Sequence, residues 1–464
     1  MSNERSSLRL EILRLFIPLL VLLSVARMGS AVDMGRVVLG TWHAYYWQQV
    51  TPAAPWEART GHAVMAFQDR IWVLGGGKDP YHVDPVSDVW SSTNGVDWVE
   101  ANCCAEWDAR QEHAAVVFQD KMWIFGGLGL TSIFGDTWWS LDGSQWSSAG
   151  VGAPWPDRFG MGAVTHGSLL YVIGGNNYGA SLDDIWCSNN GYDWTSTAGI
   201  RPWLSRSRLQ AVVFQDALCL LAGLHNDLPA ATYTYLNDVW TSPDGTTWNP
   251  ATTCAAWRGR DAHAAVVFDE NLWILGGKYI EGFGSSARMR AMNDVWYSAN
   301  AEDWRGGPPA PWAVRFGHAA LAFAGKLWVL GGTTITSNDF ALLNDVWCLT
   351  PVPLTIEAEH ASPYQVGEAL TLRLAGLGLP PGVTYQWMKD GVALAGERSD
   401  AYHLAAAGEA ASGSYTCEIG GSAFGTAGPA VIVVSDAPRV PVGAAVLAGA
   451  VLGVLLLGAR KLRR

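Results

Sequence analysis

Charge is what this 464-residue chain has least of: Asp, Glu, Lys and Arg together make up only 16% of it. Its seven cysteines, Cys103, Cys104, Cys187, Cys219, Cys254, Cys348 and Cys417, contain no C-x-x-C pair, which argues against a structural zinc site. The odd count leaves their pairing unread. Positive charge is missing from the body of the chain. Lys and Arg number 30 against 42 Asp and Glu, a net −12, and the two ends carry net +6, so residues 32–435 sit near −18. An acidic body is a poor partner for polyphosphate, which excludes nucleic-acid binding. Disorder is excluded too, because 49% of the residues are hydrophobic. What is abundant is glycine (52) and tryptophan (25), a composition for many short strands and turns. The chain reads as all-β.

Uncharged apolar runs stand at both ends. Arg5, Arg9 and Arg14 precede the run Leu15–Val25, and Gly29-Ser30-Ala31 offers small residues for cleavage, so residues 1–31 read as a secretory signal peptide. Val440 to Ala459 carries no charge and has the length of a transmembrane helix; Arg460, Lys461, Arg463 and Arg464 form a basic tail at 460–464. The tail also resembles bacterial C-terminal sorting signals. The expectation is an exported protein at the cell surface or in the periplasm, anchored by one C-terminal transmembrane helix with its body outside the cytoplasm.

Self-comparison organises the middle of the chain. The segment W-x-x-R recurs at Trp56/Arg59, Trp107/Arg110, Trp155/Arg158, Trp203/Arg206, Trp257/Arg260 and Trp312/Arg315. A small pair follows each Arg: Gly75-Gly76, Gly126-Gly127, Gly174-Gly175, Ala222-Gly223, Gly276-Gly277 and Gly331-Gly332. Then comes Asp-x-Trp, beginning at Asp88, Asp136, Asp184, Asp238, Asp294 and Asp345. A further Trp follows in every copy except the last: Trp98, Trp146, Trp194, Trp248 and Trp304. Within a copy the apolar period is two, and turns such as Gln68-Asp69, Asn94-Gly95 and Ser140–Gly143 divide it into four strands. A small four-stranded sheet cannot cover both of its faces, whereas radial stacking lets each sheet cover the next.

These marks resemble the kelch repeat over about residues 43–350. The resemblance implies a six-bladed β-propeller of four-stranded blades. Copy six lacks its last Trp, and Trp47 stands ahead of copy one as an orphan, so the N-terminal strand is expected to close the last blade. Residues 352–435 resemble an immunoglobulin-like sandwich, with Trp387 as core Trp and Tyr415 two residues before Cys417. Leu374 stands at the partner-cysteine position, so Cys417 is expected to be a buried free thiol.

Connections between antiparallel strands alternate between the two ends of the strands. The loop entering each first strand and the loop after each small pair therefore share one face. The first carries R-x-x-H at His62, His113, His263 and His318, with Met161 and Leu209 in copies three and four. The second is longest in copies four and five, which hold His225, Asn226, Asp227, Tyr233 and Tyr235, then Tyr279, Glu281, Arg288 and Arg290. Variable loops on a rigid scaffold are where ligands bind. The expected ligand-binding set is His62, His113, His263, His318, His225, Tyr233, Tyr235, Tyr279, Arg288 and Arg290. The four repeated histidines read either as metal ligands or as strand-start residues within the blades. Near-symmetry spreads them around a ring, which favours the second reading, and the repeated Arg and Asp are structural on the same ground. Cys104 and Cys254 occupy equivalent positions, read as loop packing. No catalytic residue, metal or cofactor is expected. The expected function is non-catalytic binding or adhesion toward a glycan or protein partner. The alternative is a propeller enzyme acting on carbohydrate, resembling a galactose-oxidase-type copper oxidase or a sugar epimerase or sialidase.

Overall fold

The computed structural model describes residues 37–435 apart from positions 80–82, 151, 179, 200, 228–231, 283–286, 336–338 and 377. Five copies of the repeat each form a separate four-stranded antiparallel sheet. In the first, Ala63–Phe67, Arg70–Gly77, Pro85–Ser92 and Trp98–Asn102 pair in chain order. The architecture is all-β and propeller-like. Repeat arithmetic leads to six separate blades, and the structure shows five. Strands of the sixth copy, Ala319–Phe323, Lys326–Ile335 and Phe340–Ala358, pair in that order and then with Val37–Thr51, but inside a ten-stranded sheet. The reason is strand length. Phe340–Ala358 has 19 residues and Val37–Thr51 has 15, and both run beyond the repeat into the C-terminal unit. Orphan Trp47 lies opposite Leu349 in this pairing.

One hydrogen-bond network explains the repeated letters. Arg59 is fully buried and donates through Nη1 to the Gly75 carbonyl (2.9 Å) and to Asp88 Oδ1 (2.6 Å), and through Nη2 to Asp88 Oδ2 (2.7 Å). Trp90 Nε1 donates to the same carboxylate at 2.8 Å. Arg110, Arg158, Arg206, Arg260 and Arg315 repeat the arrangement with Asp136, Asp184, Asp238, Asp294 and Asp345. A second set links neighbours: the Gly76 N–H donates to the Arg110 carbonyl, and so on around to Gly332, whose N–H returns to the Arg59 carbonyl.

Blade contacts explain the hairpin glycines. A Cβ on Gly143 would collide with the Trp72 ring of the preceding copy, and Gly95, Gly191 and Gly245 meet Trp328, Trp123 and Tyr171 in the same way. In copy four the aromatic is replaced by Cys219, and the turn glycine facing it by Ala301, which shares its buried cluster. Gly143→Ala is expected to lower stability by about 2–3 kcal/mol in urea unfolding, through overpacking and its φ of +76°. Cys219→Ala, at the one copy without the ring, should leave the Ala301 turn unstrained and lose only the small thiol contact.

Trp273 of copy five has no such glycine turn over it, because the third strand of copy six continues outward. Tyr45 (ring centroids 5.0 Å apart) and Phe424 (6.5 Å) cover it instead. The C-terminal unit is thus held to the propeller by two shared strands and one aromatic cluster. Its own core contains Trp387, Tyr415 and Cys417, all fully buried. Tyr415 donates its hydroxyl to the Ala411 carbonyl at 2.7 Å. Cys417 is a free thiol, and burial pushes its pKa up to about 12.

The anchored localisation must be corrected. No helix among the described residues is long and apolar enough to cross a membrane. The runs read as signal peptide (1–31), transmembrane helix (440–459) and basic tail (460–464) lie outside the described residues.

Candidate functional site

The C-terminal unit occupies one face of the propeller. Asp269, in the first turn of copy five, accepts hydrogen bonds from Tyr45 Oη (2.5 Å) and pairs with His43 Nδ1 (2.7 Å). That turn is on the face opposite the long loops, so the loop face is left uncovered by this unit.

His62, His113, His263 and His318 do not reach that surface. They are buried around the central channel, and each of three points its ring at the first glycine of the preceding copy: His62 at Gly331, His113 at Gly75 and His318 at Gly276. Met161 and Leu209 fill the same socket against Gly126 and Gly174. The first glycine of each pair is therefore the hole for a neighbouring side chain. Burial lowers the pKa of His62, His113 and His263 to about 3 and that of His318 well below the usual range. Neutral packing residues are what this environment accepts. Among the described residues, no group of three or more His, Cys, Asp or Glu could hold a metal ion.

The remaining expected residues lie on two long hairpins that project from the loop face. His225 Nδ1 is tied to the Ser205 carbonyl at 2.7 Å. Tyr233 is 61% exposed, whereas Tyr235 is half-buried. The Arg258 guanidinium stacks 3.9 Å over Tyr279, and Arg290 pairs with Glu281 at 2.9 Å, while Arg288 is exposed. These groups form the lip of the face. Cys104 and Cys254, read as loop packing, are exposed, as is Cys103.

Sequence reasoning missed the centre. Six residues, each two positions after a repeated Arg, form a closed ring of backbone hydrogen bonds: Gly61 to Gly317, Gly317 to Ala262, Ala262 to Arg208, Arg208 to Gly160, Gly160 to Glu112 and Glu112 to Gly61. All six adopt the left-handed conformation, with φ between 51° and 62°. Glycine suits three of these places, but Glu112, Arg208 and Ala262 hold the other three against a backbone preference of about 1 kcal/mol or more. Arg208 Nε lies 2.9 Å from both carboxylate oxygens of Glu112. Behind them Asp261 is fully buried, 3.7 Å from Arg208 Nη1. Lys278 lies 4.4 Å over the Phe316 ring. Burial raises the Asp261 pKa and lowers that of Lys278. The signal was in the sequence: the column reads Gly, Glu, Gly, Arg, Ala, Gly, a small-residue position broken twice by opposite charges.

With this geometry in place, similarity to known proteins can be read. Residues 36–223 match the KLHDC2/KLHL20/DRC7 Kelch-repeats domain. That stretch of the chain is thus similar to a Kelch-repeats domain. Beta-scruin of Limulus polyphemus is 32% identical over 96 residues, which is 20% of this chain and 10% of that protein. Alpha-scruin of the same organism is 33% identical over 95 residues, again 20% and 10%. The chain thus spans about a tenth of the length of these curated relatives. The solved structure titled "Structure of YjhT" superposes with a TM-score of 0.52 at 15% identity, covering 66% of this chain and 97% of that one, a likeness of fold.

Proposed function

We propose that this chain is a non-catalytic binding protein whose Kelch propeller holds a protein partner on its loop face. One observation carries the reading. Val83, Leu130, Tyr178, Leu204, Tyr233 and Ile280, one from each of six loops, are exposed large apolar side chains on the face that the C-terminal unit leaves open. Exposed apolar and aromatic groups around a polar centre fit a protein surface, so of the two partner classes left by the sequence we take the protein. Kelch propellers commonly mediate protein binding, which agrees. The copper-oxidase alternative finds no ligand cluster among the described residues.

We further read the sixth strand set as a sixth blade closed by Val37–Thr51. The return of the Gly332 N–H to Arg59 and the closed six-residue ring support this. Residues 352–435 we read as immunoglobulin-like, supported by buried Trp387 and by the Tyr415 hydroxyl bond to Ala411. That unit then serves as a spacer on the turn face.

The test is site-specific photocrosslinking. A photoreactive residue at Tyr233 should give protein adducts, and one at Leu141, on the turn face, should give none. Tyr233→Ala and Ile280→Ala should each weaken the captured complex by about 1–2 kcal/mol, roughly 5- to 30-fold. Adducts from Leu141 alone would overturn the assignment of the face.

A further inference from the structure

The propeller mouth holds a built polar site that the apolar lip does not explain. A cavity of about 130 Å³, enough for several water-sized groups, is lined by Thr60, Glu112, Arg208, Lys278 and Phe316, with the buried His62, His113, His263 and His318 also on its wall. Arg208 is fixed by its Nε to Glu112, and none of its terminal amino groups has a hydrogen-bond acceptor in reach among the described residues. Among the described residues Lys278 has no acceptor at hydrogen-bond distance; it faces the Phe316 ring and feels the charges of Asp261, Glu112 and Arg208. Neither oxygen of buried Asp261 receives a hydrogen bond. Buried polar groups left in this state cost free energy, and the strained backbone at Glu112 and Arg208 adds to it. Four charged groups are thus concentrated at the mouth, two of them, Glu112 and Arg208, where the repeat otherwise puts glycine and alanine.

Their signs decide the ligand. Two cations, Arg208 and Lys278, stand against two anions, Glu112 and Asp261, so the cluster is balanced. A carboxylate would bring an uncompensated negative charge into a mostly buried place in a chain of net charge −12. An ammonium would face Arg208 and Lys278 directly. A neutral group that accepts and donates at once meets neither penalty.

We propose that the mouth binds a carboxamide, the end group of an asparagine or glutamine presented by the protein partner. Its oxygen accepts from Arg208 Nη and Lys278 Nζ, its nitrogen donates to the Glu112 carboxylate, and Asp261 acts as a positioning residue that holds the two cations forward. This rests on the loop face being the protein-binding face, and it names the chemistry at the centre of that face.

Three isosteric probes separate the classes: propionamide, propionate and propylamine, titrated into the full chain by ligand-observed NMR at pH 7. Propionamide should bind in the millimolar range, at least fivefold more tightly than either charged probe. Lys278→Met and Arg208→Lys should each weaken it at least fivefold, and Arg208→Lys, which keeps the charge balance, should leave the charged probes no better than before. Unchanged melting temperatures would show that both variants remain folded, and if one does not, the other decides. Tighter binding of propionate, absence of propionamide binding, or binding untouched by both variants would overturn the proposal. None of those results would move the crosslinking pattern at Tyr233, so the failure of this inference is distinguishable from the failure of the protein-binding reading.

Discussion

Asp88→Ala is expected to destabilise the chain by about 3–5 kcal/mol, enough to remove much of the stability of an ordinary domain. The loss comes from the residue left behind. Arg59 is fully buried, donates to the carbonyls of Glu57 and Gly75, and has Asp88 as its counter-charge. Removing the carboxylate strands a guanidinium that solvent cannot reach. It also removes the acceptor of Trp90 Nε1, and so loosens the outer edge of the blade. A double variant, Arg59→Met with Asp88→Leu, should recover only part of the loss. The two carbonyls that Arg59 serves would then have lost that donor. Chemical denaturation of the three proteins checks both statements, and equal stability of Asp88→Ala and the parent would refute the network as the keystone of each blade.

Acid should unfold this protein well above the pH at which its carboxylates protonate. Three buried histidines, His62, His113 and His263, have folded pKa values of about 3, and burial holds that of His318 well below the usual range, against about 6.5 unfolded. Their folded values are depressed, so between pH 6.5 and 3 the unfolded chain binds protons that the folded chain refuses. Stability is therefore full above pH 6.5 and falls as pH drops, by about 1.4 kcal/mol per pH unit for each histidine. At pH 5 that is about 2 kcal/mol per histidine and about 6 kcal/mol for His62, His113 and His263 together, with His318 acting in the same direction. Asp88 and Asp184, whose pKa values are held down by their Arg partners against the opposing effect of burial, add to the loss at still lower pH. Met161 occupies the same socket in copy three, so His113→Met should fold. It should flatten the dependence of melting temperature on pH between 6.5 and 4, by the share of one proton. A variant with the parent's pH profile would show that the histidines are not what titrates.

Most of the scaffold was legible because each repeated letter has one local job. Trp, Arg, Gly and Asp recur since each copy needs the same buried guanidinium, the same close approach and the same counter-charge. The orphan Trp47 pointed to its pairing with the third strand of copy six for the same reason. The expected site was legible only in part. The long hairpins carry Tyr233, Tyr235, Tyr279, Arg288 and Arg290 at the lip, but the four histidines repeat because they fill sockets in the neighbouring copy. Glu112 and Arg208 escaped notice because nothing local marks a position two residues after an arginine as the centre of a ring.

By itself the sequence determined the all-β class, the repeating unit and the residues that stitch each unit together, since all of these depend on local pattern and composition. Only the tertiary structure decided that copy six runs into the C-terminal unit, that this unit covers the turn face, and that Glu112, Arg208, Asp261 and Lys278 meet at one mouth. Those facts depend on circular closure, which brings residues as far apart in the chain as Thr60 and Phe316 into one small volume. No local pattern records which side chains a closed ring places at its centre.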